Sequence, residues 1–161
     1  MSRAEKNSLL KPLLPGSQFT IEPATWRDVN ALRHIEKLCF PKDGWPLWDL
    51  IGVLSLPDVV RLKANIDFDM VGFIAGDIRR REHLAWIATV GVLPEHRNKG
   101  IGSALIQACE TQLSVPRVRL SVRASNLSAI RLYQSLGYQK IGLWPDYYFD
   151  HEDAVVMEKQ L

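Results

Sequence analysis

The 161-residue sequence is poor in the features that mark several protein classes. It has only two cysteines, Cys39 and Cys109, which form no CxxC pair and no disulfide framework, as is typical of a reducing compartment. It has no apolar run of membrane-spanning length, and residues 1–18 lack the apolar segment of a secretory signal peptide. The sequence therefore predicts a soluble, cytoplasmic protein that does not act in a membrane.

The chain also has little excess of positive over negative charge. Twenty Lys and Arg residues against eighteen Asp and Glu residues leave a formal net charge of +2, too small for a polybasic nucleic-acid-binding protein. The four histidines are scattered and match no metal-binding spacing such as HExxH. We therefore expect neither a nucleic-acid partner nor a bound metal. Hydrophobic residues make up 47% of the chain, an ordinary share for a globular protein.

Length and residue pattern predict one domain. A soft prior of roughly 150 residues per domain leaves little for a second, and the chain contains no internal repeat. Residues 1–18 mix charges, prolines and a glycine without periodicity, which predicts a mobile tail before a domain over residues 19–161. From there the apolar spacing predicts the order β-α-α-β-β-β-α-β-α-β-β. This order indicates an α/β (α+β) fold with one mixed sheet and helices on both faces.

Four segments of this pattern bear on the site. Val59–Ala64 and Met70–Arg80 are predicted to form a hairpin around a turn at Asn65–Asp69. Leu84–Leu93 is a nearly unbroken apolar run, which is typical of a central strand buried on both faces. Asn126–Leu136 is predicted to be a helix that a glycine ends.

The most informative segment is the turn after that apolar strand, Arg97-Asn98-Lys99-Gly100-Ile101-Gly102-Ser103. A helix start carries partial positive charge and backbone N–H groups without internal partners. Gly100 and Gly102 have no Cβ, so a phosphate can approach their backbone, and Arg97 and Lys99 add charge. The P-loop pattern does not fit, because Lys99 precedes Gly100. Two interpretations stay open at this point: a pyrophosphate site, or a turn that merely contains glycines and cations.

From this turn onward the sequence resembles a known family, the GCN5-related N-acetyltransferases (GNAT), which use this motif to hold the pyrophosphate of acetyl-CoA. VRASNLSAIRLYQSLGY (Val122–Tyr138) resembles the second half of that family. The segment WPDYYFDHEDAVVMEKQL resembles the RimI-like protein N-terminal acetyltransferase branch. The resemblance implies the GNAT fold with a mostly antiparallel sheet, and acetyl-CoA as cofactor. It implies acetyl transfer to a primary amine, with a protein N-terminus as the expected partner and a monomer or homodimer as the expected assembly.

The resemblance also assigns residues to the cofactor. Val90, Gly91 and Val92 are expected to present backbone groups to the pantetheine arm, with the Val90 amide donating to the thioester carbonyl. The segment from Arg97 to Ser103 is expected to bind the pyrophosphate. Asn126 is expected to cap its helix and to contact the cofactor.

Acetyl transfer needs an amine that loses a proton and a thiolate that accepts one. The tyrosine of the family's LY position corresponds to Tyr133, the candidate acid; the alternative is a tyrosine that only packs. In the family, the base at the position of Ser121 is a glutamate or a histidine. A strand tyrosine is also used at the position that Trp86 occupies in this chain. Ser121 is therefore expected to hold a relaying water, with an ordinary polar strand residue as the alternative.

The substrate residues are likewise assigned by resemblance. Phe40 and Pro41 correspond to the pocket for the substrate's first residue, and Tyr147 and Tyr148 to the peptide entrance. Asp43 either engages the substrate ammonium or merely forms an Asp-Gly turn. A weak base suits an α-amine, whose pKa of about 7.7–8.0 leaves roughly one-seventh neutral at about pH 7, better than lysine at about 10.4. We therefore expect an N-terminal α-amine as substrate. A small amine (polyamine, amino acid or antibiotic) and a non-catalytic acetyl-CoA-binding module are the alternatives.

Overall fold

The computed structural model describes residues 18–161, which form a seven-stranded sheet with helices on both sides. The strands are β1 (Thr20–Pro23), β2 (Val59–Ile66), β3 (Asp69–Arg79), β4 (Leu84–Val92), β5 (Arg117–Arg123), β6 (Gln139–Trp144) and β7 (Ala154–Gln160). The α-helices are α1 (Val29–Cys39), α2 (Leu47–Ser55), α3 (Ile101–Leu113) and α4 (Leu127–Ser135). The predicted order of helices and strands is confirmed. Apart from Gln18, the predicted tail lies outside the described residues.

The strands lie in the order β1-β2-β3-β4-β5-β7-β6. Every neighbouring pair is antiparallel except β4 and β5, so the mixed, mostly antiparallel sheet is confirmed. The hairpin of β2 and β3 has a tighter turn than predicted, because Asn65, Ile66 and Asp69 all pair across it. Only Asp67 and Phe68 remain in the turn. Asp67 has a φ of 54°, a left-handed conformation that Asp tolerates better than most residues.

Glycines show how closely the helices approach the sheet. A Cβ on Gly91 of β4 would lie 3.3 Å from both Cys39 and Phe40, so α1 packs tightly on one face, called here the front face. A Cβ on Gly76 of β3 would lie 2.8 Å from Leu113 Cδ2, so α3 packs tightly on the opposite, back face. At the front, α2 packs against α1, and at the back α4 lies beside the first turn of α3. The predicted helices on both faces are therefore present.

Apolar side chains fill the space between the sheet and each helical layer. Leu32 and Ile35 of α1 are buried at the front, and Leu105 and Ile106 of α3 are buried at the back. This burial of apolar surface is the main force that holds the helices against the sheet. Within residues 18–161, no helix is long and apolar enough to cross a membrane.

Candidate active site

The parallel strands β4 and β5 separate soon after they meet. Within the described part of the chain they pair at only two positions, Ala85 with Val118 and Trp86 with Arg119. Beyond these pairs the two strands diverge and leave a gap, called here the wedge. Its walls carry backbone N–H and C=O groups that no ladder uses, and such groups need hydrogen-bond partners. The wedge therefore suits a ligand that has amide groups of its own.

A β-bulge lies on the β4 wall of the wedge. Two consecutive residues of β3 pair with Ile87 and Thr89, so Ala88 is an extra residue without a ladder partner. Ala88 is exposed, which corrects the expectation that this strand is buried on both faces. The bulge also interrupts the alternation of side chains. Trp86 and Thr89 consequently both lie on the front face, where regular alternation would separate them.

The glycine-rich turn leads directly into α3 beside the wedge. Asn98 and Gly100 have positive φ values of 60° and 80°, and Gly100 is the N-cap of α3. A Cβ on Gly100 would meet no atom within 4 Å, so the positive φ, not crowding, favours glycine there. Arg97 Nε donates to the Val92 carbonyl at 3.0 Å. With Lys99 close by, the free N–H groups of this helix start form a cationic cradle of the kind that binds a diphosphate.

Helix α4 carries the next two predicted residues. Asn126 is its N-cap, with Oδ1 accepting a hydrogen bond from the Ala129 N–H at 3.2 Å, so the predicted cap is confirmed. Tyr133 is buried on the same helix. Burial raises the pKa of Tyr133 to about 12, with Tyr148 as a second cause. The phenol is protonated at neutral pH, as for an ordinary tyrosine, and burial makes its ionised form still less favourable.

A row of aromatic rings runs across the front face beside the wedge. Trp86 stacks on Trp144 with ring centroids 5.6 Å apart. Trp144 lies 5.2 Å from Tyr147, which lies 5.1 Å from Tyr148. A role for the two tyrosines was predicted from the sequence, but no pattern indicated that the tryptophans join them. Ser121, two residues beyond the last β4–β5 pair, is half-buried on this same face.

Arg123, the last residue of β5, ties two loops together. Its Nε and Nη2 donate to the two carboxylate oxygens of Asp43, each at 2.7 Å. Its Nη1 donates to Asp150 at 2.9 Å and to Glu152 at 2.6 Å. The guanidinium also lies 4.0 Å from the centroid of the Tyr148 ring. This set, called here the Arg123 clasp, joins the α1–α2 loop to the β6–β7 loop.

The clasp stabilises the charged forms of Arg123, Asp150 and Glu152. Hydrogen bonding to Asp43 is the main cause that raises the pKa of Arg123 above its usual range. The Arg123 guanidinium holds the pKa of Asp150 at about 2, and Ser125 and Arg123 lower the pKa of Glu152. Asp43 sits at the end of a turn, and its charge is neutralised within the protein. The Asp-Gly turn interpretation thus describes Asp43 better than contact with a substrate ammonium, although neither anticipated Arg123.

Glu36, which lies in the described core, was not predicted to have a functional role. Glu36 and Thr89 are the buried polar side chains of residues 18–161, 3% and 8% exposed. Thr89 Oγ1 donates to Glu36 Oε1 at 3.0 Å, while Oε2 has no partner. Burial raises the pKa of Glu36, and the hydrogen bond from Thr89 and the proximity of the Trp45 backbone oppose the rise. The available signal was an acidic residue on the apolar stripe of α1.

The predicted first-residue pocket lies next to this carboxyl. Phe40 and Pro41 line a cavity of about 350 Å³ together with Glu36 and Trp45. The structure thus brings the residues predicted for the substrate into the two clasped loops. Most of the residues predicted for the cofactor follow one another along β4 and into α3, and Asn126 lies at the start of α4.

Comparison with known proteins identifies the family. A model described as "Acetyltransferase (GNAT) family" matches residues 29–138. The chain belongs to the GNAT family. It is 29% identical to an N-alpha-acetyltransferase of Sulfurisphaera tokodaii, over 91% of this chain and 95% of that protein. It is 30% identical to the L-amino acid N-acetyltransferase of Escherichia coli, over 81% and 89% of the two chains.

A solved structure agrees with this assignment. The crystal structure of the ribosomal-protein-S18-alanine N-acetyltransferase from Escherichia coli matches with a TM-score of 0.81 at 26% identity, covering 88% of this chain and 93% of that one. The GNAT fold and the assignment as an acetyl-CoA-dependent N-acetyltransferase are therefore confirmed. The site fits this cofactor, because a cationic cradle for a diphosphate leads into a wedge with free backbone groups for an amide-containing arm.

Proposed function

We propose that this GNAT enzyme acetylates the N-terminal α-amine of a protein or peptide. The observation that carries the proposal is the wedge between β4 and β5, which opens beside the α3 cradle and below the two clasped loops. A thioester held in the wedge would meet an extended chain lying along the aromatic row. Two of the similar proteins, the N-alpha-acetyltransferase and the S18-alanine N-acetyltransferase, carry names that favour this substrate class.

Each wall of the site has a separate task in this proposal. Acetyl-CoA supplies an activated acetyl group when bound. Arg97, Lys99 and the N–H groups from Asn98 to Ser103 hold the diphosphate, and Asn126 contacts the cofactor beside them. The backbone of Val90 to Val92 holds the amide-containing arm, with the Val90 N–H polarising the carbonyl.

The acid and the substrate residues follow from the same arrangement. Tyr133, which is protonated at neutral pH, gives its proton to the leaving sulfur. Phe40 and Pro41 surround the first substrate residue. Tyr147 and Tyr148 contact the chain that follows, and the Arg123 clasp keeps their loop in place. Ser121 holds a water and does not itself act as the base.

Location and assembly belong to the same proposal. A protein N-terminus as substrate agrees with the cytoplasmic location expected from the sequence. Monomer and homodimer both stay predictions.

A free L-amino acid is the second candidate substrate. The chain is 30% identical to an L-amino acid N-acetyltransferase. The cavity beside Phe40 and Pro41, at about 350 Å³, also lies within the range of about 300–1,000 Å³ that is usual for small-ligand pockets. A free amino acid has an α-amine, so the chemistry would be unchanged and the aromatic row would be unused.

The test is acetyl transfer to a matched set of amines, measured as release of free thiol. One peptide has a free N-terminus and no lysine, the second has a blocked N-terminus and one lysine, and the third is blocked and lysine-free. Free L-amino acids and a polyamine complete the set. We expect turnover with the first peptide and none with the other two. Turnover confined to free amino acids would select the second candidate, and preference for the blocked lysine peptide would overturn the α-amine proposal.

A further inference from the structure

We propose that Thr89 and Glu36 form the proton relay of this enzyme, in which Thr89 Oγ1 takes the proton of the substrate amine while Glu36 receives the proton of Thr89. The inference rests on the proposed function, because it supplies the base that the reaction needs. It deepens that function because it assigns the role of the base to two residues that no sequence motif marked for it.

Four other carboxylates near the front face are engaged by arginine. Asp43, Asp150 and Glu152 bind Arg123, and Glu158 binds Arg119 at 2.6 Å. An arginine partner stabilises the charged form of a carboxylate and so makes it a weaker base. The pKa of about 2 at Asp150 shows this effect. Asp150 and Glu152, whose pKa values are lowered, are therefore poor proton acceptors, and Asp43 and Glu158 are held in ion pairs that link loops and strands.

Glu36 has the opposite environment. It is 3% exposed, no arginine is among its hydrogen-bond or ion-pair partners in residues 18–161, and its Oε2 has no hydrogen-bond partner there. The charged groups that share its cavity, Arg33, Lys37 and Lys42, are exposed to solvent. Burial raises its pKa, which moves the carboxyl closer to the range in which a general base works well.

Thr89 connects this carboxyl to the wedge. It immediately precedes Val90, whose amide is the proposed donor to the thioester carbonyl, and the bulge at Ala88 places it on the front face. Its hydroxyl proton is directed at Glu36 Oε1, 3.0 Å away. The lone pairs of the Thr89 oxygen are thereby left free to accept from an amine N–H.

The proton balance closes over one turnover. The amine nitrogen forms a bond to the acetyl carbon as the bond between that carbon and sulfur breaks. The amine proton passes to Thr89 Oγ1, and the original Thr89 proton passes to Glu36 Oε1. Tyr133 gives its proton to the sulfur. Glu36 then releases a proton to solvent and Tyr133 regains one, so the enzyme returns to its starting state.

Three variants test the relay with the amine that the wild-type enzyme accepts. Glu36→Gln keeps the shape and hydrogen-bonding capacity but removes the basicity. Thr89→Val keeps the shape but removes the hydroxyl, and Thr89→Ser keeps the hydroxyl. Glu82→Gln changes an exposed glutamate in the β3–β4 connection and is the matched control.

We expect Glu36→Gln and Thr89→Val each to lower kcat by about 10²–10⁴-fold, with the acetyl-CoA Kd unchanged. Thr89→Ser should recover most of the rate, and Glu82→Gln should match wild type. The wild-type kcat should fall as the pH drops through the raised pKa of Glu36, because a protonated carboxyl accepts nothing, and this acid limb should vanish in Glu36→Gln.

Two results would overturn the relay. One is a kcat within about threefold of wild type in Glu36→Gln or Thr89→Val, and the other is an acid limb that persists in Glu36→Gln. If Glu36→Gln does not fold, the contrast between Thr89→Val and Thr89→Ser still decides, since a purely structural role would not separate the two by rate alone. If the substrate is a free amino acid, the peptide proposal fails while these comparisons still decide the relay.

Discussion

Replacing Arg123 with glutamine should loosen both loops that frame the proposed substrate site. The substitution removes the positive charge that pairs with Asp43, Asp150 and Glu152, and it removes the two-pronged contact to Asp43. Glutamine can keep at most part of the hydrogen bonding, because it lacks the planar five-donor fork of arginine. The loops should then move independently, although the sheet below them is unchanged.

The expected loss can be bounded from the exposure of the pair. The side chains of Arg123 and Asp43 are 15% and 27% exposed, between a surface pair and a buried one. Exposed ion pairs contribute about 0–1 kcal/mol, and breaking a buried pair costs about 3–5 kcal/mol, so we expect a loss of about 2 kcal/mol. At about 2–4 °C per kcal/mol for a protein of this size, Tm should fall by about 4–8 °C.

The loss should depend on pH in a defined direction. Asp150 and Glu152 have lowered pKa values in the folded protein. Their contribution is therefore complete above the unfolded-state carboxyl values of about 4, and it is lost as the pH falls through the folded values. The Tm difference between wild type and Arg123→Gln should be constant from about pH 6 to about pH 8 and should shrink below about pH 4.

The assay is calorimetric unfolding across this pH range, with the exposed Arg81→Gln as the control for loss of one arginine. Steady-state kinetics should show a raised KM for the amine substrate and an unchanged KM for acetyl-CoA. A Tm equal to wild type at neutral pH would refute the reasoning. So would a Tm difference that grows under acid conditions.

Three further substitutions test the cofactor side. Tyr133→Phe should lower kcat by about 10²–10⁴-fold and leave the acetyl-CoA Kd nearly unchanged in titration calorimetry, because only the proton donor is lost; weaker binding at an unchanged rate would contradict this. Arg97→Glu should weaken acetyl-CoA binding at least about tenfold, because it reverses a charge at the α3 cradle, and an unchanged Kd would remove the diphosphate assignment. Asn126→Ala removes the cap of α4 and should cost about 1 kcal/mol, seen as a Tm lower by about 2–4 °C; an unchanged Tm would show that the cap contributes nothing.

Features encoded in neighbouring residues could be predicted from the sequence. The helices and strands follow from the spacing of apolar side chains, and the α3 turn follows from glycines and cations set between a buried strand and a helix. The cap by Asn126 is equally local, since its partner is three residues away. In each case the information lies within one short segment.

Features made by distant residues could not be predicted in this way. Thr89 and Glu36 are 53 positions apart, and Arg123 and Asp43 are 80 apart, so no local pattern joins them. The bulge at Ala88 is a property of how β3 pairs with β4, and the apolar run there looks the same with or without it. Arg123 lies inside the motif that carried the family resemblance, yet only its partners show that it fastens two loops.

Because β4 and β5 separate early, the sheet consists of two half-sheets that are joined only by a short ladder. A ligand lying between them can take the place of a missing strand, because its amides can hydrogen-bond to main-chain groups that no ladder uses. A ligand that bonds to both strands would therefore link the two half-sheets across the gap. The unpaired edges of β4 and β5 face each other and do not face outward. A second copy of the chain therefore cannot readily add a strand to either edge.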